Sequence, residues 1–219
     1  MTRSTGDQSA ITINSAIANR VSTRSYDVQP VAAEAITSCL EAARLAPSAC
    51  NAQPWHFVVV TDPETRDELA RLSLAPGGVM NRFVAEAPVI VAVVAERPNI
   101  TSQIGAALKN KPFYLIDIGI AAEHFCLQAT ELGLGTCMIG WFAERKVRRL
   151  LGIPRGRRTV LLITLGRPAD GATSRTAPAA EKSGSPHTLS GTDTPRRRKP
   201  LAAIASSRRY GQAWAEGLR

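Results

Sequence analysis

The stretch Pro47-Ser48-Ala49-Cys50-Asn51-Ala52-Gln53-Pro54-Trp55-His56-Phe57 joins a predicted helix to a predicted strand through a loop rich in polar side chains. Residues 32–46 carry apolar side chains at helical spacing, and residues 57–60 form a short apolar run typical of a buried strand. The loop between them holds amide side chains, which both donate and accept hydrogen bonds. Such a loop suits a heterocyclic ligand whose edge alternates C=O and N–H groups, although a plain turn has the same composition.

The regular elements alternate along the rest of the chain. Helices are predicted to begin near Asn14 and to cover residues 32–46, 63–72, 113–132 and 144–151, and strands to cover residues 55–61, 89–94, 136–139 and 160–165. The run at 89–94 is continuously apolar, as expected for a strand buried on both faces. Strands that interleave with helices indicate an α+β or α/β fold in which helices cover a central sheet.

The longest predicted helix, residues 113–132, carries one candidate core stripe. Ile116, Ile120, His124 and either Leu127 or Gln128 lie near one stripe at helical spacing. The histidine in this stripe is interpreted as a core or interface residue, not as a catalytic base.

A second polar segment, Arg20-Val21-Ser22-Thr23-Arg24, follows the first predicted helix. Alternate residues of an extended chain point the same way, so the two arginines and the serine are predicted to face one anion. Guanidinium groups bind phosphate through paired hydrogen bonds, and a serine adds a hydroxyl donor. Taken alone, this pattern is equally typical of a solvated turn.

Length and composition limit the classes of protein to which the chain can belong. The 219 residues suffice for one substantial core, and no apolar run reaches the roughly 20 residues that a membrane helix needs. Residues 1–10 lack the charged start and apolar core of a signal peptide, which favours a cytoplasmic protein. The four cysteines, Cys39, Cys50, Cys126 and Cys137, are widely spaced, so the sequence predicts free thiols and no metal site.

The chain is basic, with a net charge of +9. Lysine and arginine crowd residues 145–149, 155–158 and 196–199, which leaves a nucleic-acid or protein binder as a non-enzymatic alternative. Aromatic residues make up 5% of the chain and are not interleaved with these runs as a stacking platform requires. The composition therefore argues against nucleic acid as the main partner.

The polar motifs occur in a specific order along the chain. They are Arg20-Val-Ser22-Thr-Arg24, Pro47-Ser48-x-x-Asn51-x-Gln53-Pro54-Trp55, Leu132-Gly-Leu-Gly-Thr-Cys-Met-Ile-Gly140-Trp141-Phe142, Gly152-Ile153-Pro154, Leu165-Gly166-Arg167-Pro168 and Arg196-Arg197-Arg198-Lys199-Pro200-Leu201. Together they resemble the nitroreductase family of FMN-dependent NAD(P)H oxidoreductases. The resemblance spans residues 14–168 and resumes at about residue 195.

This resemblance implies an α+β fold with a central, mostly antiparallel sheet flanked by helices. It also implies a homodimer that holds two FMN molecules at the subunit interface and has an extended C-terminal arm. We therefore expect a flexible N-terminal arm (1–13), an FMN-binding domain (14–168), a flexible polar insertion (169–194) and a C-terminal segment that completes the domain (195–219). The insertion is rich in Ala, Ser, Thr, Gly and Pro and cannot bury a core.

The resemblance also assigns site residues. The phosphate and the N1/C2 side of FMN would contact Arg20, Val21, Ser22, Arg24, Arg196 and Arg198. The flavin would also contact a loop of the partner subunit through Pro47, Ser48, Asn51 and Gln53. The remaining contacts with the ring would come from Asn81, Ile139, Gly140 and Trp141. A backbone N–H near Gly140 would lie beside flavin N5. No side chain is expected to be catalytic, because the cofactor carries the chemistry.

The implied reaction is ping-pong hydride transfer from NAD(P)H through flavin N5 to a nitroaromatic, a quinone or a related small electron acceptor. A specialised flavin-dependent member that destroys flavin or removes halogen is the enzymatic alternative. Trp141 departs from the glutamate or second glycine that many members carry. It either narrows the pocket, stacks on a substrate or packs as a buried aromatic.

Overall fold

The computed structural model describes residues 12–75, 78, 80–96, 112–169, 198–200 and 203–206. The predicted N-terminal arm, the polar connection at 99–111 and the predicted insertion lie almost entirely outside these residues. The chain divides into two units, residues 1–183 and residues 184–219, and every helix and strand named here belongs to the first. In the second unit, the backbone N–H of Ala203 donates to the carbonyl of Pro200 at 2.9 Å.

Five helices and four strands form the described part of the first unit. They are α1 (Ile13–Asn19), α2 (Ala33–Arg44), β1 (Trp55–Val60), α3 (Pro63–Ser73), β2 (Val89–Ala95), α4 (Phe113–Glu131), β3 (Gly135–Ile139), α5 (Glu144–Leu150) and β4 (Arg158–Gly166). The sequence predicted the beginning of α1 to within one residue, and both ends of every other element to within two residues. No helix in the described ranges is long and apolar enough to cross a bilayer.

The strands form one sheet in the order β1-β2-β4-β3, and every neighbouring pair is antiparallel. This confirms the α+β fold class with an antiparallel sheet. All seven residues of β2 are buried. A strand in this position loses all contact with water, which explains why its sequence shows no polar alternation.

The two faces of the sheet pack against different helices. Val89, Val91 and Val93 point into a core shared with α2 and α4, where the rings of Phe57 and Phe125 stack with centroids 6.2 Å apart. Ile90 and Ala92 point to the opposite face, into a core shared with α3 and α5. Because successive side chains of a strand point to opposite faces, β2 contributes apolar residues to both cores.

The stripe predicted along α4 does not coincide with the buried face of the helix, although Ile120 packs against the core. Ile116 is 52% exposed, and the buried face runs through Asp117, Ile118, Ala121, Ala122, Phe125, Cys126 and Ala129. Apolar residues occur on several sides of this helix, so periodicity alone could not choose its buried face. Small alanines on the true face allow α4 to approach the sheet and α2 closely.

The segment after α1 runs beside the edge strand β3. Ser22 forms a parallel bridge with Thr136, and the N–H of Thr23 donates to the carbonyl of Thr136 at 2.9 Å. The buried hydroxyl of Tyr26 lies 2.6 Å from the Thr164 hydroxyl and donates to the carbonyl of Thr23 at 2.9 Å. Burial raises the pKa of this phenol above its usual value, so Tyr26 stays neutral.

Gly135 allows this segment to reach β3. A Cβ atom at Gly135 would lie 2.3 Å from the Thr23 Oγ1 atom and 2.8 Å from its Cγ2 atom. The side chain of Thr23 therefore occupies the space that any other residue at position 135 would need.

We predict that Gly135→Ala lowers the free energy of unfolding by about 1–3 kcal/mol, because overpacking forces the edge segment away from β3. Urea denaturation of the variant measures this loss. Combining it with Thr23→Ala, which removes the Oγ1 and Cγ2 atoms but keeps the Cβ atom at 2.7 Å, should recover part of the stability. Strictly additive effects of the two substitutions would contradict a direct clash between positions 23 and 135.

Candidate functional site

The side chain of Asn81 contacts two other segments, one close in sequence and one 60 residues away. Its Nδ2 atom donates to the carbonyl oxygen of Ser73 at 2.9 Å and to that of Trp141 at 3.3 Å. These two bonds link the end of α3 to the turn that follows β3. Because both partners are acceptors, the amide orientation is determined and its Oδ1 atom is left as an acceptor. Asn81 adopts a left-handed backbone with φ of 63°, which asparagine tolerates better than most residues.

Arg24 reaches the same region from the edge segment. Its guanidinium carbon lies 5.8 Å from the ring centroid of Phe83, within the range of a cation–π contact. Phe83 belongs to the short helical turn Arg82–Glu86, which Asn81 precedes directly. At the other end of that turn, Glu86 accepts a hydrogen bond from the backbone N–H of Tyr26 at 3.2 Å. The edge segment, the turn and the end of β3 therefore meet at one place.

Arg20 faces a different partner from the one the sequence suggested. Its Nε atom lies 3.0 Å from the Oε1 atom of Glu123 on α4, and both side chains remain partly exposed. One ion pair uses only part of a guanidinium that carries five N–H donors. The remaining donors can bind an anion together with the hydroxyl of Ser22. This residue is half-buried and lies two positions after Arg20 in the sequence.

The turn after β3 is open to solvent. A Cβ atom added at Gly140 would meet no atom within 4 Å, so a ligand can approach the backbone there. Trp141 is 59% exposed, which rules out the interpretation that it is a buried packing residue. Ile139, by contrast, is buried in the sheet and contributes through its backbone position only.

The loop that opened the sequence analysis has an unusual backbone. Cys50, Asn51 and Gln53 all adopt positive φ angles, of 53°, 50° and 43°. Within the loop, the Ser48 hydroxyl accepts from the N–H of Gln53 at 2.9 Å, and the Gln53 Nε2 atom donates to Asn51 Oδ1 at 3.1 Å. Both amide side chains are exposed and keep further polar atoms for a ligand.

The 47–53 loop is attached to α4, where Asp117 accepts a hydrogen bond from the backbone N–H of Ala49. Sequence reasoning did not find Asp117, Glu123 or Glu86. Each is a single carboxylate that contacts a residue at least 60 positions away, and no local pattern marks such a pairing.

Of the other predicted site residues, Pro47 is exposed and Val21 half-buried. Arg196 lies outside the described residues, and Arg198, in the second unit, is exposed. The phosphate-binding roles of these two arginines stay predictions.

Of the four cysteines, Cys39, Cys126 and Cys137 are buried and Cys50 is exposed. None of the four cysteines, all in described segments, forms a disulfide. Burial raises the pKa of the Cys39 and Cys126 thiols to about 12, so they stay protonated at neutral pH. His124 is partly buried, and its Nδ1 atom lies 3.3 Å from the carbonyl oxygen of Ala42, a contact that links α4 to α2. Among the described side chains, no cluster of His, Cys, Asp or Glu could hold a metal ion.

Part of the basic surface is neutralised locally. Arg157 forms an ion pair with Glu96, and Arg158 forms one with Glu144. Arg145, Lys146 and Arg149 on α5 are exposed. These cations lie on a helix that covers the opposite face of the sheet from α2 and α4.

Comparison with known proteins places the chain in context. Residues 17–77 and 76–167 match the model of the Nitroreductase family. Over 175 residues the chain is 32% identical to a protein of Methanothermobacter thermautotrophicus that is provisionally named an NADH dehydrogenase/NAD(P)H nitroreductase. That match covers 78% of this chain and 84% of the relative.

Solved structures with the same fold include two clostridial proteins. A nitroreductase family protein from Clostridium novyi NT is 29% identical, with a TM-score of 0.65, and the match covers 75% of this chain and 89% of that one. An FMN-dependent nitroreductase from Clostridium difficile R20291 is 28% identical, with a TM-score of 0.58, covering 70% and 86% of the two chains.

The Asn81 bridge can be tested without any ligand. Asn81→Asp keeps the size of the side chain but replaces a donor with a carboxylate that faces two carbonyl oxygens. We expect it to lower the free energy of unfolding by about 1–3 kcal/mol at pH 7. Asn51→Asp is the matched control, since Asn51 also has a positive φ and its Oδ1 atom only accepts. Equal unfolding free energies for the two variants would contradict the bridge.

Proposed function

The chain belongs to the nitroreductase family, and on this premise we propose that it is an FMN-dependent oxidoreductase that uses NAD(P)H to reduce small electron acceptors such as nitroaromatics and quinones. The names of its relatives support both the nicotinamide donor and the flavin: one is a provisionally named NAD(P)H nitroreductase and another an FMN-dependent nitroreductase.

One observation carries the proposal. The Asn81 amide donates a hydrogen bond to the Trp141 carbonyl oxygen, and Asn81 directly precedes the Arg82–Glu86 turn, whose Phe83 ring contacts Arg24. This arrangement gathers a fixed hydrogen-bond acceptor, a cation and the open backbone of Gly140 at the end of an edge strand. A flat, polar-edged ligand needs these three features together. The exposed indole of Trp141 adds an aromatic surface for stacking.

The donor and acceptor set fits FMN. The free Oδ1 atom of Asn81 is an acceptor, which suits the N3–H group of the flavin ring. Arg20 and Ser22 offer N–H and O–H donors for a phosphate, which bidentate guanidinium groups bind strongly. Asn51 and Gln53 supply exposed amides suited to the alternating edge of the ring.

When bound, FMN would take up hydride from NAD(P)H and pass the electrons to the second substrate. The residues of the chain would bind and orient. Arg24 would place a positive charge near the ring, where it raises the electron affinity of the cofactor. Gly140 would leave the backbone accessible, and Trp141 would limit how substrates stack. No side chain of the site is required to transfer a proton.

We also propose that the protein is a homodimer in which the 47–53 loop serves the site of the partner subunit. Ile13 and Ile17 on α1 and Leu115 and Ile116 on α4 are exposed apolar side chains on two helices that pack together. Burying one such side chain is worth about 1.5–3 kcal/mol. Large exposed apolar side chains on neighbouring helices are typical of a surface that binds a partner.

The purified chain should show a flavin absorbance spectrum that bleaches when NADPH or NADH is added without oxygen. A colourless protein that FMN cannot reconstitute would refute the proposed function. A bound flavin that neither nucleotide bleaches would instead favour a specialised family member with another reductant.

In the same assay, Arg20→Ala should weaken FMN binding by roughly 10- to 100-fold, the value of a charge-assisted hydrogen bond. Glu123→Gln is the matched control: it breaks the same ion pair but keeps the cation, so FMN should bind at least as tightly. Unchanged affinity in Arg20→Ala would refute the phosphate assignment of Arg20.

The dimer face is tested by Ile17→Glu, which places a charge on the exposed side of α1. We expect the variant to become monomeric in light scattering and to lose FMN, because each site would lack its partner loop. Leu150→Glu is the control, since Leu150 is a partly exposed residue of α5 on the opposite face of the sheet. A dimeric Ile17→Glu protein with full flavin occupancy would contradict the proposed interface.

A further inference from the structure

A buried carboxylate lies beneath the amide-rich loop. Asp117, in the second turn of α4, is only 5% exposed. Both of its oxygen atoms lie 3.2 Å from the backbone nitrogen of Ala49, which begins the turn Ala49–Asn51. Burying a carboxylate is costly unless it gains strong interactions, and aspartate is rarely so buried. A hydrophobic side chain at this position would avoid the desolvation cost of a carboxylate, so the aspartate points to a role other than packing.

The loop above Asp117 is one that needs external support. Three of its non-glycine residues hold positive φ angles, a conformation that L-amino acids rarely adopt and that persists only when the surroundings impose it. Its internal hydrogen bonds connect Ser48, Asn51 and Gln53 to one another. The bond from Ala49 to Asp117 instead ties the loop to α4, a long helix packed in the core.

We propose that Asp117 is a positioning residue for the cofactor: it holds Ala49, and thereby orients Ser48, Asn51 and Gln53 toward FMN. This inference rests on the proposed function. Asp117 does not itself touch the ligand, because its carboxylate is buried under the backbone of the loop. Its role is to lower the cost of ordering the loop when FMN binds.

Two substitutions separate this role from a merely structural one. Asp117→Asn removes the charge but keeps an acceptor oxygen for the Ala49 N–H. Asp117→Leu removes the acceptor of the Ala49 N–H, which costs stability, and also removes the desolvation cost of a buried carboxylate, which offsets that loss. A positioning role predicts that Asp117→Leu binds FMN more weakly although its stability is little changed. A structural role predicts that stability and affinity fall together.

The readouts are FMN affinity by fluorescence titration of the apoprotein, urea denaturation, and hydrogen exchange of the amides of residues 49–53 in the apoprotein. We expect Asp117→Leu to bind FMN at least tenfold more weakly and to exchange the Ala49 amide faster. Asp117→Asn should stay within about threefold of the unmodified protein, since a neutral acceptor retains most of a hydrogen bond.

Ala49→Pro tests the same bond from the loop and keeps the test decisive if Asp117→Leu does not fold. It deletes the N–H donor, and the extended backbone of Ser48 (φ −145°, ψ 153°) is the conformation that a residue before proline prefers. Weakened FMN binding in a folded Ala49→Pro protein supports the proposal.

Unmodified FMN affinity in Asp117→Leu or in Ala49→Pro overturns the proposed role of Asp117, and so does unchanged exchange of the Ala49 amide in Asp117→Leu. Failure of the unsubstituted protein to bind FMN refutes the proposed function instead. These outcomes are distinct, because the exchange experiment uses the apoprotein.

Discussion

The complete burial of β2 is the constraint on which the rest of the structure depends. A strand with water on neither face must satisfy its backbone through two neighbours and cover both sets of side chains with helices. β1 and β4 provide the hydrogen bonds, α2 and α4 cover one face, and α3 and α5 cover the other. The functional groups consequently lie where the sheet ends, on β3 and the segments that follow or border it.

The 20–26 segment, which runs along the edge strand β3, forms one side of the proposed site. Thr23 fills the space above Gly135, and the Tyr26 hydroxyl bonds to Thr164 inside the sheet, so the 20–26 segment has a defined path along β3. With Thr23 and Tyr26 buried, Arg24 is turned outward to Phe83. The same residues that close the core therefore determine where the positive charge of Arg24 lies.

Helix α4 supports both halves of the proposed site. Asp117 holds the amide loop, and Glu123 pairs with Arg20 six residues later, about 9 Å along the helix axis. The outer surface of the same helix carries the exposed apolar residues of the proposed dimer face. A rigid helix that contacts the loop, the phosphate-binding segment and a partner keeps their spacing constant, which a site shared between subunits requires.

The sequence by itself determined the secondary elements and the fold class and predicted a set of candidate site residues, because apolar periodicity and the ordered polar motifs are local signals. It could not choose the buried face of α4, since that helix is apolar on several sides. Nor could it pair Arg20 with Glu123, Asp117 with Ala49 or Asn81 with Trp141. Those contacts join residues between 60 and 103 positions apart, and only the packing of helices onto a sheet brings such side chains within hydrogen-bonding distance.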